Sequence, residues 1–346
     1  VRVVYFTGHT TAFIDDYPYF ENDTIKKGTT TDDWPLHKDY NRAAPTKILN
    51  TINKELGTVA YLIIKNDSIF YEWYADNYSK TSKTNSFTMA KSITSSLLGK
   101  AIMEGYIKNL DQPVSDFYVE FENTDTTVGD LSSMASGLDW VEAYKTPFSI
   151  TARANYDDNL AETILNQNII KTPGKQFEYL SGSTQLLGMV IQKATNMHLA
   201  QYLSQSFWKP LGTSEDAIWQ LDDSENRLAK AFCCISSNAR DFSRFGKLYK
   251  DYGRWNGQQI LDSAFVAKST TPRFKGEPYG YGFWVSDYLD KNIFVMRGIL
   301  GQYVICIPED NLIITRLGHH RSKETINSFT TDFYTFIDEA YEMLEK

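Results

Sequence analysis

The sequence predicts an α/β (α+β) protein in which one antiparallel sheet is flanked by helices and interrupted by a mainly helical region. Three observations carry that expectation. Strand signals occupy both ends of the chain, helical periodicities fill its middle, and a strongly amphipathic helix closes it. A sheet completed by both ends of a chain requires the middle to loop out. The domain reading is therefore an irregular arm over 1–45, a sheet domain made of 46–100 and 230–346, and a mainly helical insertion over 101–229.

Residues 1–45 mix turn formers and acidic residues, such as Asp15-Asp16 and Thr29 to Asp33, with scattered aromatics and no sustained period. Thr58 to Ile64 and Ile69 to Tyr74 are rich in β-branched and aromatic residues, and Lys65-Asn66-Asp67-Ser68 between them supplies turn chemistry, so a β-hairpin is expected. Ile93, Leu97, Leu98, Ala101 and Ile102 then recur at three- and four-residue steps. They predict a buried helix ending near Gly105. Between about 110 and 230 short helical patterns alternate with loops, the clearest being Leu186, Leu187, Val190, Ile191 and Ala194. Strand signals return at Tyr281 to Val285, Ile293 to Arg297, Tyr303 to Ile307 and Leu312 to Leu317, spaced as an antiparallel meander. Ile326, Phe329, Phe333, Phe336, Ile337, Ala340 and Leu344 predict the final helix.

Composition narrows the function. The 346 residues are 42% apolar, enough for a large core, and they exceed the roughly 250–300 residues at which single cores stop growing. Asp plus Glu number 43 against 35 Lys plus Arg, a net charge of -8 that argues against a nucleic-acid partner. Cys233, Cys234 and Cys306 make no disulfide framework or metal motif, and the adjacent pair is not expected to bridge. The longest apolar runs, Tyr61 to Ile64 and Leu312 to Ile314, fall far short of the about 20 residues that cross a bilayer.

Motifs narrow it further. No phosphate-binding loop and no Gly-x-Ser-x-Gly elbow occur, and Gly280-Tyr281-Gly282 lacks the third glycine of a dinucleotide site. The five histidines form no metal-ligand pair at helical spacing. His319-His320, at a strand end, point to opposite faces and read as a solvated tip. The informative string is Ser86-Phe87-Thr88-Met89-Ala90-Lys91-Ser92, a hydroxyl three positions before a lysine at the start of a buried helix. That spacing puts both side chains on one helical face, and a helix start offers N–H groups to a developing oxyanion. The same four-residue pattern recurs at Thr51 to Lys54, Thr172 to Lys175 and Ser206 to Lys209, so by itself it describes an N-cap and a snorkelling lysine equally well.

The surrounding residues add more. Asn85 to Gly99, Leu131-Ser132-Ser133-Met134-Ala135-Ser136-Gly137-Leu138, Pro173-Gly174, Phe177 to Ser181, Pro210-Leu211-Gly212, Asn238 to Gly246, Tyr279 to Trp284 and Gly301 to Val304 follow one another in a known order. Over about residues 50–345 the chain resembles the serine β-lactamase and penicillin-binding-protein superfamily. Within it the match is closest to class C-like carboxylesterases and 6-aminohexanoate-dimer hydrolases. The resemblance implies the β-lactamase/transpeptidase-like fold and acyl transfer to water, with neither metal nor organic cofactor. It puts the nucleophile at Thr88, its base at Lys91 and a proton-shuttling phenol at Tyr179, with Ser181 beside it. The oxyanion would be held by the N–H groups of Thr88 and Ile299. The loop after Gly137 implies Trp140 and Tyr144 as substrate-side residues.

Two departures matter. The family's cationic third motif falls at Met296-Arg297-Gly298-Ile299, where no Lys or His occurs, so Arg297 is the candidate anchor for a carboxylate and esters or amides are expected in place of β-lactams. The family's nucleophilic Ser is Thr88 here, whose extra methyl restricts χ1. The primary expectation is a hydrolase of small ester, amide or peptide-like substrates. The alternative is a catalytically impaired or inactive binding protein of the same fold, its serine lost naturally or by design. The family, with a chain that starts at Val1, adds the expectation of a bacterial periplasmic or secreted protein whose signal has been removed. The natural substrate and oligomeric state are not legible.

Overall fold

The computed structural model describes residues 2–143, 149–156 and 158–346. The first 45 residues contain three regular elements that no periodicity announces: helix α1 (Arg2–Thr7), a 3₁₀ turn (Tyr17–Tyr19) and strand β1 (Asn22–Ile25). A strand of four residues is too short to show an alternating pattern and owes its conformation to its partner, here residues 217–220. Helix α2 (Lys47–Glu55) is capped by Thr46, whose hydroxyl accepts from the Leu49 N–H at 3.0 Å.

The predicted hairpin forms from β2 (Thr58–Lys65) and β3 (Ser68–Tyr74). Its two turn residues, Asn66 and Asp67, take φ of 50° and 62°, the left-handed pair that a two-residue hairpin turn requires and that Asn and Asp tolerate best. The two-residue strand β4 (Thr84–Asn85) and a 3₁₀ turn over Phe87–Met89 lead into helix α3 (Ala90–Met103). This helix is buried on nearly every side. Its hydroxyl residues are satisfied by loops around it: Ser92 donates to the Gly282 carbonyl, Thr94 to that of Ala231 and Ser95 to that of Tyr281.

Helices α4 (Val128–Ser132), α5 (Ile150–Tyr156), α6 (Leu160–Leu165), α7 (Ser181–Thr195) and α8 (Leu199–Leu203) fill the middle of the chain, and α7 packs along α3. Strands β5 (Ala217–Gln220) and β6 (Ile235–Ser237) join β1 and β4 in a small sheet of order β1-β5-β6-β4. The segment leading into β6 corrects one expectation, because Cys233 and Cys234 are joined in a vicinal disulfide. Cys234 stands in a left-handed conformation, φ 74°, which bends the chain at the pair.

Helix α9 (Ala239–Lys250), the short hairpin of β7 (Arg254–Trp255) and β8 (Gln258–Gln259), and helix α10 (Ser263–Ser269) precede the meander. The meander consists of β9 (Trp284–Ser286), β10 (Ile293–Gly298), β11 (Gln302–Ile307) and β12 (Leu312–Gly318). Strand β12 pairs with β2, so the main sheet is antiparallel throughout, with order β3-β2-β12-β11-β10-β9. Alternate residues of β11 face opposite layers. Val304 and Cys306 pack toward Gly246 of α9, whereas Ile305 and Ile307 join the cluster of the final helix. That helix, α11 (Thr331–Leu344), starts later than its apolar spacing predicts, since Ile326 and Phe329 belong to the hairpin of β13 (Thr325–Ile326) and β14 (Phe329–Thr330). Asn327 and Ser328 turn that hairpin with positive φ, leaving Ile326 exposed and Phe329 buried.

His319 is no solvated tip. It lies half-buried under Phe13 of the N-terminal arm, ring centroids 4.8 Å apart, and burial lowers its pKa against the opposing charge of Asp15; only His320 is exposed.

Candidate functional site

The start of α3 meets the end of β10 at one point. Gly298 passes so close to the chain before the nucleophile candidate that a Cβ there would stand 2.2 Å from the Ser86 carbonyl oxygen. Phe87, between them, takes a φ of 46°, a conformation costly for an aromatic residue and one that clusters at functional sites. Thr88 follows, partly buried in the 3₁₀ turn, and its hydroxyl donates to the Arg297 carbonyl at 3.0 Å.

Lys91 is one turn further along and only 2% exposed, which removes the snorkelling reading. Its ammonium donates to Ser181 Oγ at 3.0 Å and sits 3.8 Å from the centroid of the Tyr179 ring. Tyr179 is fixed from below by Tyr279 and Trp284, at centroid distances of 5.8 and 5.0 Å. Among the described residues its hydroxyl makes no hydrogen bond, nor does the Thr88 hydroxyl bond Lys91 or Tyr179.

Ser181 opens α7. Its N–H donates to Glu142 Oε2 at 2.9 Å, and its hydroxyl donates to Glu142 Oε1. The same carboxylate accepts from Trp140 Nε1 at 2.9 Å. Trp140 is 5% exposed, and its ring packs where a Cβ on Gly182 would be, 2.5 Å away, so it supports the loop from beneath. Glu142 is thus one hydroxyl away from Lys91, and the motif reading did not single it out. It stands two residues after Trp140, and no motif or spacing in the sequence marks it. Tyr144 falls outside the described residues.

Arg297, the candidate carboxylate anchor, is the penultimate residue of β10. Its guanidinium lies over the Trp284 ring, 3.4 Å from the centroid, and donates to the Ser328 carbonyl at 2.7 Å. Burial lowers its pKa, and neighbouring Tyr179 opposes that shift. Arg297 therefore belongs to the same aromatic wall as Tyr179.

Ile299 heads the 3₁₀ turn that ends β10, over Ile299–Gly301. The first N–H groups of such a turn have no acceptor within it, and the same holds for Thr88 in its own turn. Leu300 follows with a φ of 64°. The Thr88 hydroxyl, the Lys91 amine, the Tyr179 phenol and the turn-opening Ile299 N–H are thus gathered at one junction, with the hydroxyl turned toward the Arg297 carbonyl. Among the described residues no group of three or more His, Cys, Asp or Glu is placed to hold a metal, and no helix is long and apolar enough to cross a membrane.

Comparison with known proteins gives the family and the fold. A sequence profile of the beta-lactamase family matches residues 47–328. The 6-aminohexanoate-dimer hydrolase of Paenarthrobacter ureafaciens is 22% identical over 298 residues, covering 79% of this chain and 75% of that protein. Among solved structures, a Bacillus anthracis protein named provisionally as a 6-aminohexanoate-dimer hydrolase superposes with a TM-score of 0.80 at 19% identity, covering 95% of this chain and 91% of the other. A family VIII carboxylesterase superposes with a TM-score of 0.65 at 17% identity, covering 90% and 99%. Both superpositions show the fold, which is β-lactamase/transpeptidase-like as the motif order implied. With most of its length matched by one family profile, the chain belongs to the beta-lactamase family.

Proposed function

We propose that the chain is an acyl hydrolase that cleaves an ester or amide through an acyl-enzyme on Thr88. The observation that carries this reading is the meeting of Thr88, Lys91 and Tyr179 at the end of β10, with the lysine buried and held by Ser181. In the proposed reaction Thr88 Oγ1 attacks the carbonyl carbon while its proton passes to the Lys91–Tyr179 pair. The N–H groups of Thr88 and Ile299 take the oxyanion, and each such donor typically contributes about 2.7–4 kcal/mol in the transition state. The leaving group departs with the proton, and water then cleaves the acyl-enzyme with Lys91 and Tyr179 in reversed roles. Arg297, stacked on Trp284 with donors to spare, is the group that would hold a carboxylate on the substrate.

A second reading has its own support. The Thr88 hydroxyl points to the Arg297 carbonyl, a rotamer that leaves it unavailable to Lys91. Because the β-branched side chain is stiff at χ1, a protein locked in this state would bind ligands and turn over poorly. Hydrolysis of p-nitrophenyl butyrate by the chain and by Thr88→Ser, Lys91→Ala and Tyr179→Phe separates the two. The hydrolase reading expects activity in the chain, more in Thr88→Ser, and loss in the other two. Activity in Thr88→Ser alone identifies a competent scaffold disabled at residue 88. Equal background rates in all four proteins would sink the hydrolase reading.

A further inference from the structure

Arg316, on β12, is fully buried, and its donors reach five oxygens. Nη1 donates to the carbonyls of Leu300, Gly301 and His320, each at 2.9 Å; Nη2 donates to the Leu56 carbonyl at 2.9 Å and Nε to Thr58 Oγ1 at 3.0 Å. Every one of these acceptors is neutral. The compensating charge is Asp332, also fully buried, which opposes the fall in the Arg316 pKa that burial drives to about 10. A guanidinium buried against neutral oxygens is costly unless its hydrogen bonds are complete, and here two of the five go to one short turn.

That turn is the one that follows Ile299. Leu300 sits at φ 64°, where a side chain is disfavoured, and Gly301 at φ 81°. A Cβ on Gly301 would stand 2.6 Å from Arg316 Nη1 and 3.2 Å from Asp332 Oδ2, so glycine is what lets both charged groups close on the backbone. Gln302 completes the brace, donating from Nε2 to the Ile299 carbonyl at 3.2 Å and to the Gly318 carbonyl at 2.6 Å. All three carbonyls of the turn are therefore held from the strand side. The turn cannot relax to a favoured backbone conformation without breaking them.

We propose that Arg316 is a positioning residue for the oxyanion hole: by holding the Leu300 and Gly301 carbonyls it fixes the left-handed turn that aims the Ile299 N–H at the substrate oxygen. The inference rests on the acyl-hydrolase reading. It says where the orientation of the second donor comes from, a residue distant in sequence that touches neither substrate nor nucleophile.

The test compares Arg316→Lys with Thr58→Val, which deprives the same guanidinium of an acceptor on the side away from the turn. Both are measured for thermal stability, for kcat and KM on p-nitrophenyl butyrate, and for hydrogen exchange at the Ile299 amide. Lysine keeps the charge and loses the fork. The expected result is a fall in kcat of about 10- to 100-fold in Arg316→Lys with KM within about twofold, and faster exchange at Ile299. Thr58→Val keeps kcat within about threefold even where it loses as much stability. If Arg316→Lys does not fold, Arg316→Gln takes its place. Equal losses of kcat in both variants, or a parental kcat in Arg316→Lys, would overturn the inference while leaving the hydrolase reading intact. A parent inactive with both Thr and Ser at 88 removes the hydrolase reading and this inference with it.

Discussion

Two lysines in this protein are buried to the same degree, and only one of them has hydroxyl and phenol groups beside it. Lys91 and Lys230 are each 2% exposed. Lys230 donates to the Asn155 carbonyl at 2.7 Å and lies 4.7 Å from the centroid of the Phe20 ring; burial pulls its pKa down to about 8, with Asp222 opposing. Lys91 also has one hydrogen bond and one ring. Its hydrogen bond, however, goes to a hydroxyl tied to a carboxylate, its ring carries a phenol, and a second hydroxyl stands one helical turn before it. Burial is thus not enough to single out a candidate catalytic lysine. What separates the two is whether the surrounding groups can accept and return a proton.

The comparison breaks most sharply if the lysines are exchanged in importance. Lys91→Ala should lower ester hydrolysis by about 10³-fold or more, within the range of a lost general base next to its nucleophile. Steady-state kinetics measure this directly, and the same assay on Lys230→Met should give a rate within about twofold of the parent.

Tyr179→Phe makes the ring beneath Lys91 resemble the one beneath Lys230. The cation–π contact survives and the phenol does not, so kcat should fall by about 10²-fold with an unchanged melting temperature. A matching loss of stability would show that the hydroxyl is structural.

Glu142→Gln keeps the shape of the carboxylate and removes its charge. It should lower kcat by roughly tenfold and cost about 0.5–2 kcal/mol in denaturant unfolding, because Glu142 also caps the first turn of α7 through the Ser181 N–H. Wild-type kinetics in this variant would reduce Glu142 to a helix cap.

Lys230 predicts a smaller effect on stability alone. Its folded pKa of about 8 lies below the ordinary 10.5, so between those values the unfolded chain holds more protons, and stability rises with pH. The gain between pH 7 and 9.5 should be on the order of 2 kcal/mol by denaturant unfolding, and Lys230→Met should flatten that slope. A slope that persists in Lys230→Met assigns it to other groups.

The parts of this architecture that were legible in the sequence are those whose cause is local. Asn66-Asp67 between two β-branched runs dictates a hairpin, and the stepping of Ile93, Leu97 and Ala101 dictates a helix, whatever surrounds them. Motif order extended that reach to Thr88, Lys91, Tyr179 and Ser181, which the fold brings to one junction. What was not legible depends on distant partners. Strand β1 exists because β5 pairs with it. Ile326 continues a helical spacing, yet it is exposed because Asn327 and Ser328 turn the chain back. Glu142 and Arg316 are ordinary charged residues until the fold sets one beside Ser181 and the other under the turn after Ile299.

The central claim is that Thr88 becomes covalently acylated with the help of Lys91, and intact-mass and peptide mass spectrometry after reaction with a fluorophosphonate test it most directly. The account predicts one adduct, on the peptide containing Thr88, formed faster in Thr88→Ser and absent in Lys91→Ala. An adduct on any other residue, or none in the chain itself, would contradict it.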